Sequence, residues 1–122
     1  MTLERIDIDD PEVDGDYAQR LLYRGELFTG EAEEHLDGCR VGITRYTDGI
    51  KDGPYRHWYK SGVLQAEGVM RMGFLAGESL RWHANGTLAK KMISSEDGRF
   101  LLASYEWDED GLPTRTWERT EG

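Results

Sequence analysis

Between residues 56 and 107, large apolar side chains recur two positions apart with charged or polar residues between them. Leu80-Arg81-Trp82-His83 and Tyr105-Glu106-Trp107-Asp108 follow this alternation, the period of a half-buried β-strand, and Arg56-His57-Trp58-Tyr59 is the short aromatic segment at the same place in the series. Each segment runs into a turn signal: Lys60-Ser61-Gly62, Ala84-Asn85-Gly86 and Glu109-Asp110-Gly111. Asn-Gly and Asp-Gly favour the positive φ that tight hairpin turns require, so positive φ is expected at Gly62, Gly86 and Gly111. A second strand then begins at Val63-Leu64 or Thr87-Leu88. Short loops, GIKDG (49–53) and GFLAG (73–77), are expected to return the chain. The unit predicted is a β-hairpin.

The unit recurs. Gly25, Gly49, Gly73 and Gly98 are separated by 24, 24 and 25 residues, and so are Gly38, Gly62, Gly86 and Gly111. Trp58, Trp82 and Trp107 keep the same register, Leu64 matches Leu88, and Gly53 matches Gly77, with Gly30 as their shifted counterpart. These columns define a tandem array of about four units with a period near 24. A lone hairpin is marginal in water. Hairpins paired edge to edge in one long twisted antiparallel sheet would bury a shared seam of Trp and Leu, and stability would become roughly a nearest-neighbour sum. The fold class expected is all-β, with residues 1–22 as an acidic leader or cap and residues 23–122 as the repeat array.

Composition narrows the function. At 122 residues the chain fits a single domain, and its hydrophobic content of 38% suits a thin core carried by aromatics rather than a large ligand cavity. No apolar run approaches the ~18 residues of a membrane span, and the start lacks the basic and apolar regions of a secretory signal. Cys39 is the only cysteine, which suits a reducing compartment. The expectation is a cytoplasmic protein. Net charge is −9, and residues 1–37 hold twelve acidic residues against Arg5, Arg20 and Arg24, so that segment carries the whole imbalance. A field of this sign repels nucleic acid and anionic membranes and attracts basic proteins.

The phrase G-x4-W-[YH]-x2-G-x-L followed by a Gly-x3-Gly return resembles the MORN repeat variant. Its bacterial carriers resemble the YwqK family of antitoxins and immunity proteins. The resemblance covers residues 23–115 and is strongest in GPYRHWYKSGVLQAEG and GESLRWHANGTLAKK. Unit one has Glu34-His35 where the Trp falls, and unit four has Leu102 for the second return glycine and Pro113 for the Leu after Gly111. Such lapses suit end units that cap an array. The resemblance implies a hairpin-repeat fold and a protein that neutralises a cognate toxin by direct contact.

Residues that carry chemistry are sparse. His35, His57 and His83 lack any zinc spacing, and the two beside Trp58 and Trp82 should lie on the solvated side. Cys39 has only His35 nearby as a base, the serines sit in turns without a nucleophile elbow, and no phosphate-binding glycine loop occurs. No catalytic residue, cofactor or metal is expected, and the protein is not read as an enzyme. Acidic residues are more telling. Asp7, Asp9, Asp10, Glu12, Asp14 and Asp16 interleave with Ile6, Ile8 and Val13, and Glu31, Glu33 and Glu34 lie on a neighbouring hairpin. Residues 1–16 read either as an interaction arm or as a solubilising tail; residues 17–22 suit one helical turn capped by Asp14 or Asp16. The expected partner is a cognate toxin with a basic surface, met by this acidic platform and anchored by the exposed rings of Tyr55, Tyr59 and His83. A MORN-type scaffold without inhibitory activity is the alternative.

Overall fold

The computed structural model describes residues 4–120. Its strands are β1 (Arg5–Asp7), β2 (Val13–Gly15), β3 (Leu21–Tyr23), β4 (Glu26–Leu27), β5 (Gly30–Leu36), β6 (Cys39–Thr47), β7 (Ile50–Trp58), β8 (Leu64–Arg71), β9 (Phe74–Trp82), β10 (Leu88–Ser94), β11 (Leu101–Trp107) and β12 (Pro113–Glu118). Nine of them form one open sheet in the order β1-β5-β6-β7-β8-β9-β10-β11-β12, and β2-β3-β4 form a small second sheet. From β5 onward every neighbour is an antiparallel hairpin partner, as the repeat columns predict. β1 departs from that plan by pairing parallel with β5, Ile6 opposite Ala32. A parallel pair needs a long crossover, and the small sheet is that crossover.

Two kinds of turn recur in the chain. At Arg24-Gly25, Asp37-Gly38, Asp48-Gly49 and Met72-Gly73 both residues have positive φ, for example 48° and 80° at Asp48 and Gly49. That is the two-residue hairpin turn whose twist matches the strands. At Gly62, Gly86 and Gly111 the expected positive φ is present (95°, 88° and 85°), but the preceding Ser61, Asn85 and Asp110 are not left-handed. Gly86 N–H donates to His83 O and His83 N–H to Thr87 O, so this loop has three residues, a type I turn closed by a left-handed glycine. The tight turns thus fall at Gly25, Gly49 and Gly73 of the other column and at Gly38 of this one, while Gly98 closes a longer loop in which Ser95 N–H donates to Phe100 O.

The segments GIKDG and GFLAG are not return loops. The chain reverses at Gly49 and Gly73, and β7 and β9 begin on the next residue. Gly53 and Gly77 lie inside those strands where the ladder slips: Asp52, Gly53 and Pro54 face Arg45 alone, and Gly77, Glu78 and Ser79 face Gly68 alone. A bulge needs a residue free to leave the pleat, and a Cβ on Gly53 would stand 2.8 Å from Arg45 Cδ.

Burial also differs from the expected Trp–Leu seam. Arg56, Leu80 and Tyr105 lie in one cross-strand row through Glu67 and Lys91. Trp58, Trp82 and Trp107, two residues further along their strands, therefore share that face. All three are only half-buried, because no second layer covers the sheet there. Away from the N-terminal end the buried side chains are small: Ala76, Ser79, Ala103 and Ser104. The core proper joins Ile6, Phe28, Ala32 and Tyr46, with Ile8, Val13, Leu21 and Tyr23 packed on it, where the small sheet lies on the large one. Phe28 is 3% exposed and meets Tyr23 edge-on at 6.1 Å between ring centroids.

Residues 17–22 make no helical turn. Asp16 Oδ1 accepts the N–H groups of Ala18 (3.0 Å) and Arg20 (2.8 Å). The side chain satisfies the donors locally and turns the chain straight into β3. The boundary placed after residue 22 falls within β3.

Glycine substitution separates the roles of these positions. A Cβ on Gly49 would lie 2.8 Å from Leu21 O and 3.0 Å from Arg20 Cβ, whereas one on Gly62 would meet nothing within 4 Å. Both residues carry a left-handed φ, which alone costs an alanine about 1–2 kcal/mol. Urea unfolding should therefore show Gly62→Ala losing about that much and Gly49→Ala clearly more, and equal losses would contradict this packing. Trp82→Ala should cost about 2 kcal/mol, below the roughly 3–5 kcal/mol of a fully buried Trp.

Candidate functional site

The acidic segment is ordered from Glu4 onward by its own side chains. Asp7 Oδ1 accepts Asp9 N–H, Asp10 Oδ1 accepts Glu12 N–H and Asp14 Oδ1 accepts Gly15 N–H, each at 2.8 Å. Ile6, Ile8 and Val13 anchor the same stretch in the core, which corrects the solubilising-tail reading for its described part. Asp9, Glu12 and Asp14 are exposed and Asp10 partly so. Among the described residues no cation lies within ion-pair distance of these four carboxylates.

The carboxylates of β5 are used differently. Glu31 and Glu33 project from one face and bind Arg5 at 2.9 and 3.3 Å, and Arg40 reaches Glu33 at 3.4 Å. The imidazole of His35 lies 3.1 Å from Asp7 Oδ2 and 3.5 Å from Glu33 Oε2, the first contact without the direction of a hydrogen bond. Charge on this strand is largely compensated within the fold. Glu34 points to the opposite face, exposed, in the row Glu34–Gly42–His57. The predicted platform thus divides: Asp9, Asp10, Glu12 and Asp14 present free negative charge, while Glu31 and Glu33 sit beside Arg5, Glu33 also beside Arg40, and Asp7 lies against the imidazole of His35. Asp16 belongs to the second group, 2.8 Å from Arg20 Nε, and its carboxyl titrates below the usual range, chiefly through the Arg20 N–H.

The three proposed anchors do not come together. Tyr59 O–H donates to Trp82 O at 2.7 Å, and His83 Nε2 lies 2.8 Å from Trp107 O. A carbonyl only accepts, so Nε2 carries the hydrogen in that contact. These residues occupy the same position in successive units and clasp each hairpin to the next. Asn85 Nδ2 adds a bond to Glu109 O at 2.9 Å. Both rings serve the array, and the signal was present in the sequence as the shared offset of Tyr59 and His83.

Tyr55 lies elsewhere, packed over Gly68, where a Cβ would approach its hydroxyl to 2.8 Å. With His57, Ala66, Ser79, Arg81, Lys90 and Met92 it lines an open depression of about 370 Å³. Burial pushes its phenol up in pKa, against smaller opposing effects from Ser79 and Arg81. Sequence reading also passed over the exposed apolar group Val69, Met72 and Phe74, which borders a wider depression of about 780 Å³ with Asp52 and Arg99. The cue was a hydrophobic residue, Met72, at a turn position. Among the described residues no group of three or more His, Cys, Asp and Glu side chains is placed to hold a metal ion, and no helix is long and apolar enough to cross a membrane.

No protein-family model, curated protein or solved structure matches the chain.

The depressed pKa of Asp16 fixes a pH dependence. Its charged form is stabilised by folding, so its contribution is present above the unfolded carboxyl pKa of about 3.9 and is lost as pH falls through the lower folded value. Asp16→Asn should therefore be less stable than wild type at neutral pH, with the gap narrowing on acidification. Denaturation midpoints at pH 7 and pH 3 test this. A gap that is constant or widens in acid would contradict it.

Proposed function

We propose that this chain is a protein-binding module of the antitoxin or immunity class that neutralises a basic partner by direct contact. The observation supporting this reading most is the set Asp9, Asp10, Glu12 and Asp14: free of cationic partners among the described residues, and held on an anchored segment. Charge fixed in place costs little ordering entropy on binding and steers a partner of opposite sign at long range. A toxin acting on nucleic acid would carry such a basic groove, and carboxylates occupying it would exclude the substrate.

A second reading, a MORN-type scaffold module, draws on the depression lined by Tyr55, Arg81 and Lys90. Lys90 and Arg81 are direct cross-strand neighbours, and among the described residues neither forms an ion pair. That face suits an acidic segment of another protein rather than a basic one.

The two readings separate by mutation. Co-expression with the protein encoded beside it, followed by co-purification and a growth assay, supplies the partner. Replacing Asp9, Asp10 and Glu12 by Lys should slow association at least tenfold, flatten or reverse the fall with added salt that wild type shows, and abolish protection in the growth assay. Arg81→Glu with Lys90→Glu should leave both unchanged. The reverse pattern would favour the scaffold reading and sink the acidic contact.

A further inference from the structure

The two ends of the large sheet are unlike. At one end β1 is three residues long and its chain continues into the small sheet. At the other, β12 runs for six exposed residues and, among the described residues, pairs only with β11. A long open edge invites another strand. Its backbone polarity follows from one hydrogen bond: Arg119 N–H donates to Leu102 O at 2.8 Å. In an antiparallel ladder the bonded positions alternate, so Arg115 and Trp117 also direct their backbone groups toward β11. Thr116 and Glu118 direct theirs outward.

That arrangement is self-complementary. If a second β12 runs antiparallel with Thr116 opposite the Thr116 of its copy, the two threonines exchange N–H and C=O bonds about a twofold axis. Arg115 then falls opposite Trp117 of the copy, twice, on the same face of the sheet. Arg115 is an exposed guanidinium, 3.9 Å from Glu106, and Trp117 is 45% exposed. Guanidinium over indole is the most favourable cation–π pair, and cross-strand neighbours stand close enough to make it. Glu118 falls opposite Thr114, so no like charges meet. Pro113, which has no N–H to give, begins the strand at its margin and leaves the centre of the ladder intact.

We propose that two copies of this chain join through β12, centred on Thr116, into one continuous sheet with the acidic ends outermost. The contact is isologous and closes on itself, and the brevity of β1 disfavours head-to-tail growth.

Cysteine cross-linking tests both the partner and the register. In a bonded antiparallel pair the Cα atoms are about 5.5 Å apart, within disulfide reach. With the exposed free thiol of Cys39 removed as Cys39→Ser, Thr116→Cys should oxidise to a covalent dimer. Arg115→Cys should not, because its copy would lie about 8 Å away, two residues along and one strand across. Thr116→Pro removes an outward N–H without touching the β11 ladder. It should sediment as a monomer, with an unchanged circular dichroism spectrum, at high micromolar concentrations where wild type sediments as a dimer. Monomeric wild type, equal cross-linking at 115 and 116, or a dimer that survives Thr116→Pro would each overturn the proposal.

Discussion

Gly49 donates its N–H to Phe28 O and accepts Leu21 N–H at its own carbonyl, both at 2.8 Å, and these two bonds tie the small sheet to the large one. Phe28 N–H in turn reaches Leu21 O. Only a residue without Cβ fits, since Leu21 O, Arg20 and Leu27 crowd the position. Everything that counts as core in this protein forms around that junction, because it is the one place where a second layer covers the sheet. Ile6, Phe28, Ala32 and Tyr46 are buried there and nowhere else are large side chains so enclosed.

Beyond the junction the array must hold together without a covering layer. Its cohesion comes from the strand ladders and from bonds that repeat at the period of the sequence. Gly73 N–H donates to Lys51 O, Tyr59 to Trp82 O, and His83 contacts Trp107 O. Each links a unit to its neighbour, so the structure behaves as a chain of nearest-neighbour contacts. Small buried residues, Ala76, Ser79, Ala103 and Ser104, let larger neighbours lie flat across the sheet. Tyr55 over Gly68 and His57 over Gly42 show the same economy.

The repeating part was legible because its signals are local. Glycine is the residue that a hairpin turn most readily takes, and two columns of glycines at a constant spacing carry the hairpins, the period and the array. Turn type was not legible from Ser-Gly or Asn-Gly alone, since the same dipeptide serves two- and three-residue loops and the choice depends on how the strands meet. The bulges at Gly53 and Gly77 were read as loops for a similar reason: a glycine leaving the pleat and a glycine ending a strand look alike. The parallel pairing of β1 with β5 and the core around Phe28 are non-local, joining segments with no shared motif. Of the candidate site, the excess of carboxylates was plain, but not which of them lie against Arg5, Arg40 and His35.

That division of carboxylates follows from geometry as much as from composition. Alternation along β5 puts Glu31, Glu33 and His35 on one face, and parallel pairing brings Arg5 beside Glu31 and Asp7 beside Glu33. Like charges across adjacent strands oppose the pairing, and Arg5, within ion-pair distance of Glu31 and Glu33, offsets that repulsion between β1 and β5. The turn from Asp9 to Asp14 has no such neighbour and no such need, because its carboxylates project from its rim into water. Negative charge survives where the fold does not have to cancel it. The result is a sheet whose one end carries fixed free carboxylates and whose other end, at β12, is nearly balanced by Arg115, Glu118 and Arg119. The proposed contact with a basic partner and the proposed β12 pairing therefore fall at opposite ends of the sheet and do not compete for the same surface.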